Sequence, residues 1–168
     1  MIHRGHIKPD WDIEEFKTLN YRFAPPPLGK VLDDYASAGH SKMYMTIFHC
    51  MQPNHFPSVV YDYILPQFDL SLVGVAANLL LPGQYLPNHV DYYHKYIEVH
   101  NLTDDPIRRC ILFLEDSVRG QISQACGYTF GAWRAGDWIG WDRGDEHAVY
   151  NFSTVNRYAL QITGVPNE

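Results

Sequence analysis

The sequence predicts a mainly β fold, a sandwich, jelly roll or barrel, preceded by a stretch of helices and loops. Three observations point there. From about Ser71 onward, short apolar segments are punctuated by turn residues at the spacing of an all-β domain. Aromatic residues make up 14% of the chain, with 12 Tyr and 8 Phe, a composition that suits strands better than long helices. The segment 157–163 alternates strictly: Tyr158, Leu160 and Ile162 share one face, and Arg157, Ala159, Gln161 and Thr163 share the other.

Residues 1–67 are mixed and interrupted. The first ten residues, with His3, His6, Arg4 and Lys8, lack a hydrophobic signal core and are expected to be mobile, without a role in metal binding. Pro25-Pro26-Pro27 is expected to be extended, since proline lacks the amide donor and restricts its predecessor. A short helix is expected around 28–38. Another is expected over 57–65, with Pro57 near its first turn and Pro66 at its end. These helices would pack on one sheet.

The strand segments follow at 71–81, 92–100, 107–114, 121–130, 137–141, 146–152 and 157–163, separated by turns such as Pro82-Gly83 and Ala135-Gly136. In 157–163 the apolar face would meet the helices, while the small polar face suits the wall of a ligand cavity. In 107–114, Arg109 shares its side with Ile111 and Phe113, so a cation sits among buried-type residues and needs an anionic partner. At 168 residues the chain is the size of one domain, expected as a support over 1–67 and a β core over 71–164.

Composition excludes several classes. The net charge is −6 and no Lys/Arg cluster stands out, so a nucleic-acid backbone binder is disfavoured. Cys50, Cys110 and Cys126 share no CxxC spacing and are odd in number, which argues against a disulfide scaffold or structural zinc. No apolar run reaches the length of a membrane span. A soluble cytoplasmic protein is the expectation.

The chemistry concentrates in a few residues. His89-Val90-Asp91 places an imidazole and a carboxylate two apart at the end of a strand, where both point to one side. Two imidazoles and one carboxylate on one face hold Fe(II) and leave positions open. With nine His and 13 Asp, nearly one such pair arises by chance, so the pair alone is weak. A third ligand must come from further along, where His94, His100 and His147 lie, the last at a turn leading into a strand. Arg157 follows ten residues later on the face already marked as a cavity wall. The positions ten after His94 and His100 are Asp104 and Cys110.

His89-x-Asp91, a distal His147 and Arg157 ten residues on resemble the 2-oxoglutarate/Fe(II) oxygenase superfamily. The segments Gly136-Asp137-Trp138-Ile139-Gly140-Trp141-Asp142 and Glu146-His147-Ala148-Val149-Tyr150-Asn151 are further similar to its aspartyl/asparaginyl β-hydroxylase branch. That branch lacks the carboxylate that Asp91 supplies here, and spaces its first His and its second Arg more closely than His89 and Arg109. The resemblance covers roughly residues 79–164.

It implies a double-stranded β-helix in which His89, Asp91 and His147 bind Fe(II) and act as the catalytic centre. By the same resemblance, 2-oxoglutarate chelates the iron, Arg157 pairs with its distal carboxylate, and Arg109 lies near the co-substrate. The implied reaction consumes O2 and hydroxylates an amino acid, another small molecule or a protein side chain. Asp91 favours hydroxylation or desaturation over halogenation. Asn78 and Tyr85 are candidate donors to 2-oxoglutarate or structural residues, and segment 92–96 borders the site. Trp133, Trp138 and Trp141 read as packing residues. The competing readings are a cupin-like metalloenzyme that needs no 2-oxoglutarate, and a non-catalytic jelly-roll binding module.

Overall fold

The computed structural model describes residues 1–24, 28–104 and 106–167. Its eleven strands are β1 (His3–His6), β2 (Arg22–Ala24), β3 (Ile47–Cys50), β4 (Leu70–Leu80), β5 (Tyr85–His89), β6 (Arg108–Phe113), β7 (Gln121–Ala125), β8 (Tyr128–Phe130), β9 (Asp137–Asp142), β10 (His147–Asn151) and β11 (Arg157–Pro166). Three α-helices, α1 (Ile13–Lys17), α2 (Lys30–Ser37) and α3 (His94–His100), and a π-helical turn over Val60–Ile64 complete the frame.

The strands form two antiparallel sheets. The larger runs β1-β9-β6-β11-β4-β3-β2 and the smaller runs β5-β10-β7-β8. The chain passes repeatedly from one sheet to the other, and the fold is a double-stranded β-helix, as the sequence led us to expect.

Strand alternation distributes the side chains over two apolar cores. On the outer face of the larger sheet, Leu112, Leu160 and Ile162 are fully buried against Phe16 of α1 and Val60 and Ile64 of the π-helical turn. Asp12 caps α1 by accepting a hydrogen bond from the Glu14 amide at 3.0 Å, which fixes where Phe16 points inward. Between the sheets a second cluster joins Phe113, Ile139 and Trp141 to Ala125 and Trp133. The expected helix over 57–65 is present as the π-helical turn and the 3₁₀ turn Leu65–Gln67 that follows. The expected helix around 28–38 is α2, but it buries no residue and lies near β5 rather than on the larger sheet. The expected extended Pro25–Pro27 lies outside the described residues.

Four expectations are corrected. Residues 1–67 are not only helices and loops: β1, β2 and β3 extend the larger sheet at both edges. The first ten residues are likewise ordered, with His3 and His6 of β1 bonded to Asp142 at 3.0 Å and to Asp137 at 2.8 Å. At three or four residues each, these strands are too short to show a period.

The segment 92–100 is not a strand but contains helix α3. Tyr93, Tyr96, Ile97 and His100 recur at helical spacing, and Asn101 ends the helix in the left-handed region at φ 52°. The segment 121–130 is a hairpin, β7 and β8, turned by Cys126 and Gly127 at φ 51° and 80°.

Candidate metal centre

His89 and His147 face each other because β5 and β10 are paired. His147 lies directly opposite His89, and a register shift between His147 and Val149 marks a bulge beside the pair. Pro87 is tolerated within β5 because β5 is the edge of its sheet. The Pro87 carbonyl lies 2.7 Å from His89 Nδ1, and the Asp145 carbonyl lies 3.3 Å from His147 Nδ1. A carbonyl only accepts, so each Nδ1 carries the proton and each Nε2 is left to face Asp91. The ring centroids are 4.2 Å apart, and Trp141 of β9 stacks on His147 at 4.3 Å.

Asp91 follows two residues after β5. Its Oδ2 lies 3.1 Å from His147 Nε2 and its Oδ1 lies 3.7 Å from His89 Nε2. One ligand atom from each of the three residues falls within 4.8 Å of the others. Both nitrogens of His147 thus face oxygen acceptors, an arrangement that calls for a proton or a metal cation at Nε2. Burial pushes His89 down to about 4, with the neighbouring His147 adding to it, so its Nε2 is free to ligate at neutral pH. Burial alone would raise the Asp91 carboxyl. The His147 contact and the Arg109 charge outweigh that and hold it below the usual carboxylate range. The donor set, two imidazoles and an ionised carboxylate, fits a divalent first-row metal.

Arg157 opens β11 and is 5% exposed. Nη2 donates to Ser123 Oγ of β7 at 2.6 Å, and the guanidinium lies 5.0 Å from the Trp133 ring centroid and 5.6 Å from that of Phe113. Its Nε and Nη1 have no hydrogen-bond partner among the described residues. Burial lowers the guanidinium to about 9, which leaves it a cation at pH 7. A buried cation with idle donors is costly unless an anion meets it.

His89, Asp91, His147, Arg109 and Arg157 all line one cavity of about 630 Å³ between the two sheets. The expected wall from 157–163 is there: Arg157, Ala159, Gln161 and Thr163 face the cavity, and Tyr158, Leu160 and Ile162 face the helices. Arg109 finds its anion in Asp91, whose Oδ2 accepts from Arg109 Nη1, while Arg109 Nε donates to Thr163 Oγ1 at 3.2 Å. Asn78 also faces the cavity, in a polar row with His49 Nδ1 at 2.7 Å and Gln161 Oε1 at 3.3 Å. Tyr85 instead bonds His40 Nδ1 at 2.6 Å and is not part of the cavity wall.

The sequence did not single out His49 or Ser123. Each becomes a cavity residue only through sheet pairing. Trp138 packs in the outer core and Trp133 in the inner one, in keeping with their reading as packing residues, but Trp141 packs directly on a candidate ligand.

A double-stranded β-helix with two imidazoles and a carboxylate converging in its barrel defines the class: a jelly-roll protein with a candidate metal centre. No protein-family model matches the sequence, and no curated protein matches it. Among solved structures, the fold is similar to that of a prolyl-4-hydroxylase from Pseudomonas putida. The TM-score is 0.54 at 14% identity, over 92% of this chain and 97% of that one. It is also similar to an oxidoreductase of the 2OG-Fe(II) oxygenase family from Burkholderia pseudomallei. There the TM-score is 0.51 at 12% identity, over 93% and 79% of the two chains. At these identities the likeness is one of fold. No helix among the described residues is long and apolar enough to cross a membrane.

Proposed function

We propose that this chain is a non-haem Fe(II), 2-oxoglutarate-dependent oxygenase that hydroxylates a small molecule or a peptide side chain. The observation that carries the reading is the pairing of two features in one cavity. One is the His89–Asp91–His147 cluster, and the other is the buried Arg157 guanidinium with idle donors. A metal centre alone would suit many jelly-roll proteins. A desolvated arginine facing the same cavity adds a demand for a carboxylate-bearing ligand, which 2-oxoglutarate meets.

In this reading His89, Asp91 and His147 hold Fe(II) on one face, and Arg157 with Ser123 orients the distal carboxylate of 2-oxoglutarate. When bound, iron with 2-oxoglutarate and O2 supplies the oxidation of a C–H bond to an alcohol, with succinate and CO2 as co-products. The chain's own contribution is to fix the ligand tautomers through Pro87 and Asp145 and to exclude water with Trp141 and Tyr93. The remaining cavity, with the row His49, Asn78 and Gln161, is where the substrate's polar groups would be met.

Anaerobic titration of the metal-free protein with Fe(II) and 2-oxoglutarate tests the proposal. The weak visible charge-transfer band of an iron–oxoacid chelate should form, fade in Arg157→Ala and vanish in His147→Ala. Tight iron binding without that band would favour a cupin-like metalloenzyme that needs no 2-oxoglutarate. No iron binding at all would leave a non-catalytic binding module. Succinate release then screens substrates.

A further inference from the structure

We infer that Arg109 is a positioning residue: it ties the Asp91 carboxylate to the rigid larger sheet and so sets how tightly the His89–Asp91–His147 cluster holds a divalent cation. This rests on the metal-centre reading proposed above.

The three ligands differ in how the backbone holds them. His89 and His147 sit on paired strands, opposite each other in register, and each ring is fixed by a carbonyl two residues upstream. Asp91 has none of this. It lies beyond the end of β5, where the chain has left the ladder, and Tyr93 two residues later adopts φ 56°. A carboxylate on such a segment rotates freely unless a side chain restrains it, and that rotation would otherwise have to be frozen when a cation binds.

Arg109 supplies the restraint from a different sheet. It belongs to β6, an interior strand of the larger sheet, paired with Trp141 of β9 on one side and Thr163 of β11 on the other. Three contacts hold its guanidinium: Nε donates to Thr163 Oγ1 at 3.2 Å, Cζ lies 4.7 Å from the Tyr93 ring centroid, and Nη1 donates to Asp91 Oδ2. The cation–π contact also clamps Tyr93, and with it the turn that follows Asp91. A guanidinium fork fits this work better than an ammonium, because its donors keep fixed directions.

The assignment separates the two cavity arginines. Arg157 has idle donors and awaits an anion, while Arg109 already has one in the protein. Arg109 therefore acts on the metal ligand, not on the co-substrate as the sequence resemblance implied.

The test is titration of the metal-free protein with Co(II) alone, followed by its visible d–d absorption, in native protein and in Arg109→Met, Arg109→Lys, Asp91→Ala and the Asp91→Ala/Arg109→Met double variant. Circular dichroism and melting checks would establish that each variant is folded. Arg109→Met should weaken Co(II) by about tenfold to a hundredfold, the range for partners of metal ligands. Its spectrum should approach that of Asp91→Ala, and Arg109→Lys should recover part of the loss. The double variant should bind no more weakly than Asp91→Ala, because Arg109 acts only through that carboxylate.

Native-like Co(II) affinity and spectrum in folded Arg109→Met would overturn the inference, as would losses that add in the double variant. In either case weakened 2-oxoglutarate binding by Arg109→Met would move Arg109 to the co-substrate and leave the metal centre standing. Absence of Co(II) binding by the native protein would remove the metal reading itself, and this inference with it.

Discussion

The two faces of β11 share one backbone and differ in almost everything else. On one face Leu160 and Ile162 are fully buried against α1 and the π-helical turn, with Tyr158 beside them. On the other, Arg157, Ala159 and Thr163 are buried nearly as deeply, yet they line a cavity instead of meeting a packed layer. The first face stabilises the fold by removing apolar area from water. The second works against stability, since it desolvates a cation whose Nε and Nη1 lack partners among the described residues. Burial alone therefore does not distinguish core from site in this protein. What distinguishes them is whether the buried polar groups are satisfied from within.

Substitutions on the two faces sharpen or break that contrast. Leu160→Ala should have the largest effect, a loss of ~2–5 kcal/mol in urea unfolding, because it empties a closed layer. A loss much under that range would mean the helices do not close over this face.

Arg157→Met should behave in the opposite sense. Without ligands the variant should be at least as stable as the native protein, since an unpaired buried charge is gone. If the chain uses 2-oxoglutarate as proposed, the variant should also lose the stabilisation that co-substrate would confer, ~2.7 kcal/mol at a hundredfold excess over Kd, read as a melting shift in the presence of metal. A variant several kcal/mol less stable without ligand would make Arg157 a structural residue and erase the contrast.

Ile162→Val, which removes one methylene from the packed face, should cost ~0.5–1.5 kcal/mol and leave the iron–oxoacid band unchanged.

The smallest effect is a pH slope. Burial holds His49 below its ordinary value, so the unfolded chain takes up this proton more readily than the folded one. Its contribution to stability is present above about pH 6.5, the unfolded value, and is lost as pH falls below it. His49→Gln should flatten the acid limb of a stability–pH curve. An unchanged limb would place His49 in contact with water.

The sequence by itself determined the β class, the alternation of β11, the residues that converge on the candidate centre and the arginine ten residues after the last of them. These are legible because a strand's period is two and because ligand chemistry restricts residue type; both are properties of short stretches of chain. Helix α3 carried a readable signal in Tyr93, Tyr96, Ile97 and His100, but a run of aromatics is equally at home in a strand, and local pattern could not choose. The outer strands β1, β2 and β3 are formed by their neighbours more than by their own residues.

Only the tertiary structure decided that Arg109 meets Asp91, that Trp141 lies on His147, and that His49, Asn78 and Gln161 form one polar row. Arg109 and Asp91 come together because β6 lies between β9 and β11 and because the chain leaves β5 toward that sheet. No periodicity encodes such a meeting, since it depends on the closure of two sheets over one cavity.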